Sequence, residues 1–167
     1  MQLLSILACL VAATTAAEVS PTLQDANTIE AIRNTLALYP FAVDGKNFAD
    51  LSNVFAEDAV ANYSAPLNVL TPLSTIESVL AANLACVTTQ HQFGTQRIDL
   101  VSPTVAQSIT YYRAAHFGSG NMTDQVAYAY GQYQDRWIRQ RDGTWRIVHR
   151  NLVYMGPIIG NSGVFVC

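Results

Sequence analysis

Three ionisable side chains stand inside otherwise apolar stretches of this sequence. Asp44 follows Phe41-Ala42-Val43, His91 closes Thr88-Thr89-Gln90-His91, and His116 closes Arg113-Ala114-Ala115-His116. A neutral imidazole accepts or donates a proton near neutral pH, so two converging histidines suit elimination or isomerisation. A carboxylate such as Asp44 can orient one ring and stabilise its charged form. Taken one at a time, each histidine also fits a hydrogen-bonded structural residue, and on pattern alone that plainer reading leads. The same trio imitates a two-His-one-carboxylate metal site, a reading the sequence disfavours. Arg150 offers a further possibility. Alternation along Trp145–Tyr154 would group Val148, Arg150, Leu152 and Tyr154; on a pocket face Arg150 would bind an enolate or carboxylate, and elsewhere it would be a solvated sheet residue. Asp135 and Arg136 pose the same question on the preceding run.

The elements that must position these residues fall into two halves. Asn27 followed by Glu30 resembles a capping pair before an apolar stripe of Ile29, Ile32, Leu36 and Tyr39, which predicts a first helix bent near its end by Pro40. Phe48, Leu51, Val54 and Phe55 predict a short second helix after Gly45, and Ala59–Tyr63 a short strand. Ser74 with Glu77 reads as a capping box opening a third helix that runs toward Cys86. After Val87 the runs Thr88–Ser102, Thr104–Phe117, Asp124–Gln140 and Thr144–Met155 are rich in Val, Ile, Thr, Tyr and Trp. Pro103, Gly118-Ser119-Gly120 and Asp142-Gly143 separate them, and Asp-Gly between two such runs signals a hairpin. Helices first and an antiparallel meander after them argue for an α+β fold, with about three helices packed on a strongly curved antiparallel sheet. Such a sheet encloses a cavity, and small-molecule sites favour concave, mostly apolar places. Period two puts Thr110, Tyr112, Ala114 and His116 on one face. Tyr39 and Tyr112 are therefore candidates for the wall of a substrate pocket.

Several short segments, taken in order, carry a family resemblance. Val43-Asp44-Gly45-Lys46-Asn47-Phe48-Ala49-Asp50-Leu51 resembles the helix-to-helix junction of scytalone dehydratases. These enzymes lie in the nuclear transport factor two-like superfamily, which includes the polyketide cyclase (SnoaL-like) group. Thr89-Gln90-His91 and Arg113-Ala114-Ala115-His116 resemble the segments carrying that family's two catalytic histidines. Tyr63 sits where the family has a tyrosine that helps hold a water on the substrate carbonyl, and Arg139–Trp145 resembles its Asp-Gly hairpin and following Trp. The resemblance spans roughly Ile29 to Tyr154. It implies a cone-shaped α+β barrel and catalysis without a cofactor. His91 and His116 would be the proton-transfer pair, Asp44 the support of one histidine, and Tyr63 the carbonyl-polarising group. It also implies a homodimer through the sheet face, and a non-catalytic binding protein with the same pocket as the alternative. The sequence departs from the family at Val43, where a second carbonyl-polarising tyrosine is usual. It departs again at Gln132 and Gln134, which stand about where a serine and an asparagine grip the substrate. The implied reaction is therefore dehydration, double-bond isomerisation or cyclisation of a polyketide- or terpenoid-like molecule other than scytalone.

Bulk composition bounds the remaining classes. The chain has 167 residues, 50% hydrophobic and 13% charged, with a net charge of -3. That excludes disorder and gives no basic surface for tracking phosphates, so nucleic acid is not an expected partner. Eight tyrosines suit a sheet-rich fold or an amphipathic pocket. No phosphate-cradling Gly-rich loop, dinucleotide fingerprint or helical metal motif appears. Gly160-Asn161-Ser162-Gly163 does not match a nucleophile elbow. Residues 1–17 lack charged side chains, and Leu3–Ala13 is an apolar run of signal length, too short for the ~20 residues of a membrane span. The reading is a signal peptide over 1–17 and one secreted domain over 18–167, with no membrane association after cleavage. In that compartment Cys86 and Cys167 can pair, Cys9 leaving with the signal. Asn62-Tyr63-Ser64 and Asn121-Met122-Thr123 are glycosylation sequons there, with Asn121 the better placed, in a polar turn.

Overall fold

The computed structural model describes residues 22–166. The first helix, α1, spans Leu23–Asp44. Its N-cap is Thr22, whose hydroxyl accepts from the Asp25 amide at 3.1 Å while the Asp25 carboxylate accepts from the Thr22 amide at 2.9 Å. The cap expected at Asn27 is thus one turn late. Asn27 lies inside the helix on its exposed side, and the reciprocal Thr22–Asp25 pair satisfies the first free amides instead. Ile32, Leu36, Tyr39, Ala42 and Val43 form the buried stripe. Pro40 is accommodated inside the helix, which continues through Asp44 before the Gly45 amide closes it on the carbonyls of Phe41 and Val43.

A 3-10 turn, Phe48–Asn53, buries Leu51 and leads into β1, Phe55–Asn62, longer than the strand expected there. After β2, Val69–Leu70, comes α2, Leu73–Asn83. The Ser74–Glu77 box does not form. The N-cap is Pro72, with no side-chain cap bond, because proline fixes the chain at the helix entrance and places Ser74 already inside the first turn. Then follow β3 (Val87–Ser102), β4 (Val105–Gly118), β5 (Val126–Arg139) and β6 (Trp145–Tyr154), close to the four predicted runs. A short β7 (Ile159–Gly160) and a 3-10 turn (Ser162–Phe165) follow β6.

The seven strands form one sheet in the order β2-β1-β6-β5-β4-β3, with β7 paired to β5. β3 to β6 are antiparallel neighbours, as expected, but β1 lies parallel to β6. The sheet is therefore mixed rather than wholly antiparallel. The meander leaves one edge of β6 open, and the helical half delivers β1 to that edge running the same way. Irregular register between Phe93 and Gln96 in β3, and between Arg136 and Trp137 against β6, inserts extra residues that sharpen bend and twist. The curved sheet is covered by α1, which packs on β3 and β6, and by α2, which packs on β1. This is the α+β cone of the nuclear transport factor two-like fold. Among the described residues, no helix is long and apolar enough to cross a membrane.

The C-terminal segment packs beside the cavity, which Ile158, Ser162 and Phe165 help to line. Gly160 pairs with Ala127 of β5 at φ 101°, and a Cβ there would overlap the Val126 carbonyl oxygen. Both the close approach and the left-handed backbone require glycine. Val164 is then buried, and the Phe165 ring lies 4.8 Å from that of His116. Gly160→Val should cost about 1–2 kcal/mol from backbone handedness alone. It should release β7, seen as faster amide exchange over 159–165 with β3–β6 unchanged. Unaltered exchange in that segment would refute the claim that β7 seats it.

Candidate active site

The interior of the cone holds a cavity of about 390 Å³. His91 reaches it from the start of β3 and His116 from the end of β4; Thr89 and His116 are cross-strand partners. The two imidazoles meet edge to face, with centroids 6.1 Å apart. The face predicted by alternation in β4 is the inward one: Thr110, Tyr112, Ala114 and His116 are all buried.

Asp44 sits at the last turn of α1, beside β3, and binds this strand three times. Its Oδ1 accepts from the Thr89 hydroxyl at 2.8 Å and lies 2.7 Å from His91 Nδ1, and its Oδ2 accepts from the His91 amide at 2.8 Å. Burial pushes the Asp44 carboxyl up, but hydrogen bonds from the His91 side chain and amide, electrostatic attraction to His91 and the Thr89 hydroxyl outweigh it. The carboxyl is held below the ordinary carboxylate range. An ionised carboxylate only accepts, so His91 Nδ1 carries the hydrogen, and Nε2 is the nitrogen left for the cavity.

His116 differs. Its Nδ1 lies 3.2 Å from the Ala127 carbonyl. A carbonyl only accepts, so Nδ1 carries the hydrogen here too and Nε2 bears a lone pair. Burial, and then the neighbouring His91, push His116 down to about 4, so it is neutral at physiological pH.

Tyrosines make up much of the remaining wall. Tyr63, immediately after β1, and Tyr39 of α1 share a hydrogen bond between hydroxyls at 3.2 Å. Tyr112 and Tyr133 stack at 4.5 Å, and Tyr154 adds a fifth phenol. Burial above all raises the Tyr63, Tyr112, Tyr133 and Tyr154 hydroxyls, which stay protonated. Leu80, Leu84, Leu152 and Phe165 supply apolar surface. Thr89, Tyr133 and Phe165 were not singled out in the sequence, whereas Leu152 and Tyr154, grouped with Arg150 by alternation, do line the cavity; Tyr133 shares the odd-numbered parity of Ala127, Ala129 and Gly131, a run of small residues that marks the inward face of β5.

Three expected contacts require correction. Gln132 and Gln134 do not line the cavity but lie on the opposite face of the sheet. Asn62 donates to Asn151 (3.0 Å), Asn151 to Gln134 (3.1 Å) and Gln134 to Gln132 (3.3 Å), a row of amides crossing three strands. Arg150 is neither a direct wall residue nor solvated. It is wholly buried and forms a two-pronged pair with Asp135, Nε to Oδ1 and Nη2 to Oδ2, both at 2.8 Å. The expected grouping with Val148 fails because Arg136 pairs with His149 and Trp137 with Ile147, leaving Val148 as the extra residue of a bulge. Val43 is buried in the core beneath the site.

Of the sequons, Asn121 is exposed in a 3-10 turn, whereas the Asn62 side chain belongs to the amide row. Cys86 lies between α2 and β3; Cys167, Cys9 and the 1–17 segment lie outside the described residues. Among the described residues, no cluster of three His, Cys, Asp or Glu is arranged to hold a metal ion.

The fold is shared with known proteins. A scytalone dehydratase-like protein of Novosphingobium aromaticivorans superposes with a TM-score of 0.72 at 25% identity, covering 80% of this chain and 87% of its own. The hexachlorocyclohexane dehydrochlorinase LinA-type3 of Novosphingobium barchaimii gives 0.70 at 17% identity, with 84% and 94% covered. ActVI-ORFA of Streptomyces coelicolor gives 0.65 at 16% identity, with 77% and 98% covered. The last two share the fold alone. No curated protein sequence matches the chain. The SnoaL-like domain family matches residues 24–151, from the first turn of α1 into β6 and across Asp44, His91 and His116, and the chain belongs to that family.

Proposed function

We propose that this chain is a secreted lyase or isomerase that works without a cofactor on a small polyketide- or terpenoid-like molecule, by acid–base chemistry centred on His91 and His116. The observation that carries this reading is the convergence of both imidazoles on one cavity, 6.1 Å apart, with His91 anchored on Asp44 at 2.7 Å. Names among the structural neighbours point the same way: a dehydratase and a dehydrochlorinase each remove a small molecule to leave a double bond.

In this reading the two imidazoles divide the work. His91 Nε2 takes the proton from a carbon beside a carbonyl, and the negative Asp44 opposes the charge that the imidazole gains. The released electron pair is drawn toward the carbonyl oxygen, which Tyr63 receives with a protonated hydroxyl. The lone pair on His116 Nε2 accepts from a hydroxyl of the substrate and orients it. If a β-hydroxyl leaves, the proton taken by His91 returns to the departing oxygen and water is formed. If nothing leaves, the same proton returns to another carbon and the double bond has moved. The wall of tyrosine hydroxyls and aliphatic surface suits an uncharged ring compound. With Val43 in the core and Gln132 and Gln134 outside the cavity, scytalone itself is not the proposed substrate.

The proposal extends to the setting: a signal peptide over 1–17, a Cys86–Cys167 bridge and glycosylation at Asn121 ahead of Asn62. It also includes a homodimer through the outer sheet face. Exposed Ile109, Tyr111, Phe117 and Tyr130 favour that face as the contact.

With a panel of β-hydroxy and β-halo cyclic ketones, His91→Ala and His116→Ala should each lower turnover about 10²–10⁴-fold. Their circular dichroism and melting should be little changed. Full activity in either variant would sink the assignment, and ligand binding without conversion by the wild type would favour a binding protein instead.

His116 gives a separate expectation for pH. The unfolded chain takes up a proton near the ordinary value of 6.5, the folded chain only near 4. Between those values the unfolded state binds more protons, so stability falls as the pH is lowered through the window. The contribution is at most roughly 3 kcal/mol. Denaturant melts at both ends of the window should show that His116→Gln loses less stability on acidification than the wild type. Equal losses would contradict the burial-driven shift.

A further inference from the structure

Asp135 and Arg150 face each other across β5 and β6 as direct cross-strand partners, on the inward side of the sheet. Both side chains are fully buried. Replacing such a pair by well-packed apolar residues is often neutral or stabilising, so its presence calls for more than a stability argument. The pair is also incomplete. Asp135 takes up Nε and Nη2 of the guanidinium, which turns Nη1 away from the carboxylate. Nη1 is the one buried side-chain polar atom without a hydrogen-bond partner among the described residues.

Aromatic rings pack against the guanidinium, which is not itself part of the cavity lining. The guanidinium carbon lies 4.0 Å from the ring centre of Tyr133, 4.5 Å from that of Tyr39 and 5.1 Å from that of Phe55. Tyr39 and Tyr133 also line the cavity, as does Tyr63, whose hydroxyl is joined to that of Tyr39. In that hydroxyl pair one oxygen donates to the other, which leaves one O–H without a hydrogen-bond acceptor among the described residues. The cation is met by its carboxylate on one side and lies against the rings of Tyr39 and Tyr133, which line the cavity. Its effect on the cavity is therefore that of a fixed dipole with the positive end inward, in a site with little water to weaken it.

We propose that the Asp135–Arg150 pair is a positioning device for an oxyanion pole: Tyr39 and Tyr63 receive an enolate or phenolate oxygen, and the guanidinium behind them stabilises its charge. This rests on the proposed function in one respect, that the same cavity receives the ligand oxygen. It assigns Tyr39, one helical turn before Val43 on the buried face of α1, as a partner of Tyr63 at this pole. Arg150 acts through these tyrosines rather than by touching the ligand. The raised Tyr63 hydroxyl agrees: burial and Tyr39 push it up, while Arg150 pulls the other way.

The test reads binding, not turnover, so a missing catalytic activity leaves it intact. The probes are 4-nitrophenolate, in alkaline buffer where the phenol is ionised, and neutral 4-nitroanisole. Both are titrated into the full chain. The phenolate should bind at least about tenfold more tightly than the anisole. The neutral double variant Asp135→Leu with Arg150→Met should lose that preference while its affinity for the anisole is kept. Tyr39→Phe and Tyr63→Phe, with the ion pair intact, should each reduce the preference and cover the case in which the double variant does not fold. No phenolate binding, no preference over the anisole, a preference unchanged in the double variant, or one unchanged in both phenylalanine variants would each overturn the proposal.

Discussion

Asp44 stands at the C-terminal end of α1, where the carbonyl end of a helix disfavours negative charge, and α1 has no basic residue in its last turn. The carboxylate is held there by three hydrogen bonds from one short stretch of β3: the Thr89 hydroxyl, the His91 amide and His91 Nδ1. The rest of the site depends on that knot. It joins the end of the first helix to the beginning of the long edge strand and fixes which His91 nitrogen faces inward. Because His91 is paired with Ala114 and Thr89 with His116, it also fixes where the second imidazole lies. The nearby Lys46 ammonium, which donates to the Leu84 carbonyl at 3.0 Å, ties the same junction to the end of α2. A charge placed at an unfavourable helix end is thus compensated by bonds that also build the site.

The other charges are handled so that the cavity itself stays nearly neutral. His116 is uncharged because burial and its neighbour oppose protonation, and the buried phenols stay protonated. The one buried guanidinium is matched by a carboxylate and withdrawn behind aromatic rings. Under the proposed function, an apolar substrate enters without displacing a strongly hydrated ion, and charge that develops during proton transfer meets dipoles already oriented to receive it. The tyrosines serve both needs, with flat apolar rings for packing and hydroxyls for recognition.

Much of this was legible in the sequence, and the failures have a common cause. Order and spacing of the apolar runs were enough for the fold class and the four long strands, since period two and strong turn residues act locally. Parity in β4 was legible because His116 sits among residues that are plainly inward. Parity in β5 was not: Gln132 and Gln134 were placed inside when the odd-numbered Tyr133 and Asp135 are, and a shift of one residue reverses every side chain. In β6 a bulge at Val148 broke the alternation that would have grouped it with Arg150. The parallel pairing of β1 with β6 is a long-range choice with no local signature. The Thr22–Asp25 box was masked by the equally plausible Asn27–Glu30 spacing.

The misplacement of Arg150 is informative beyond parity. An arginine in an alternating strand has two obvious fates, a pocket wall or a solvated face, and the structure uses neither. It lies inside, between the sheet's own carboxylate and the backs of the phenols that form the wall. Such a position follows from the cone. Strong curvature leaves room between the sheet and the cavity lining for a second layer of side chains, and a large cation can occupy it only if its charge is met from both sides. Asp135 meets it on one side and the π-faces of Tyr39 and Tyr133 on the other. The curvature that encloses the cavity thus also creates the layer in which its electrostatics are set.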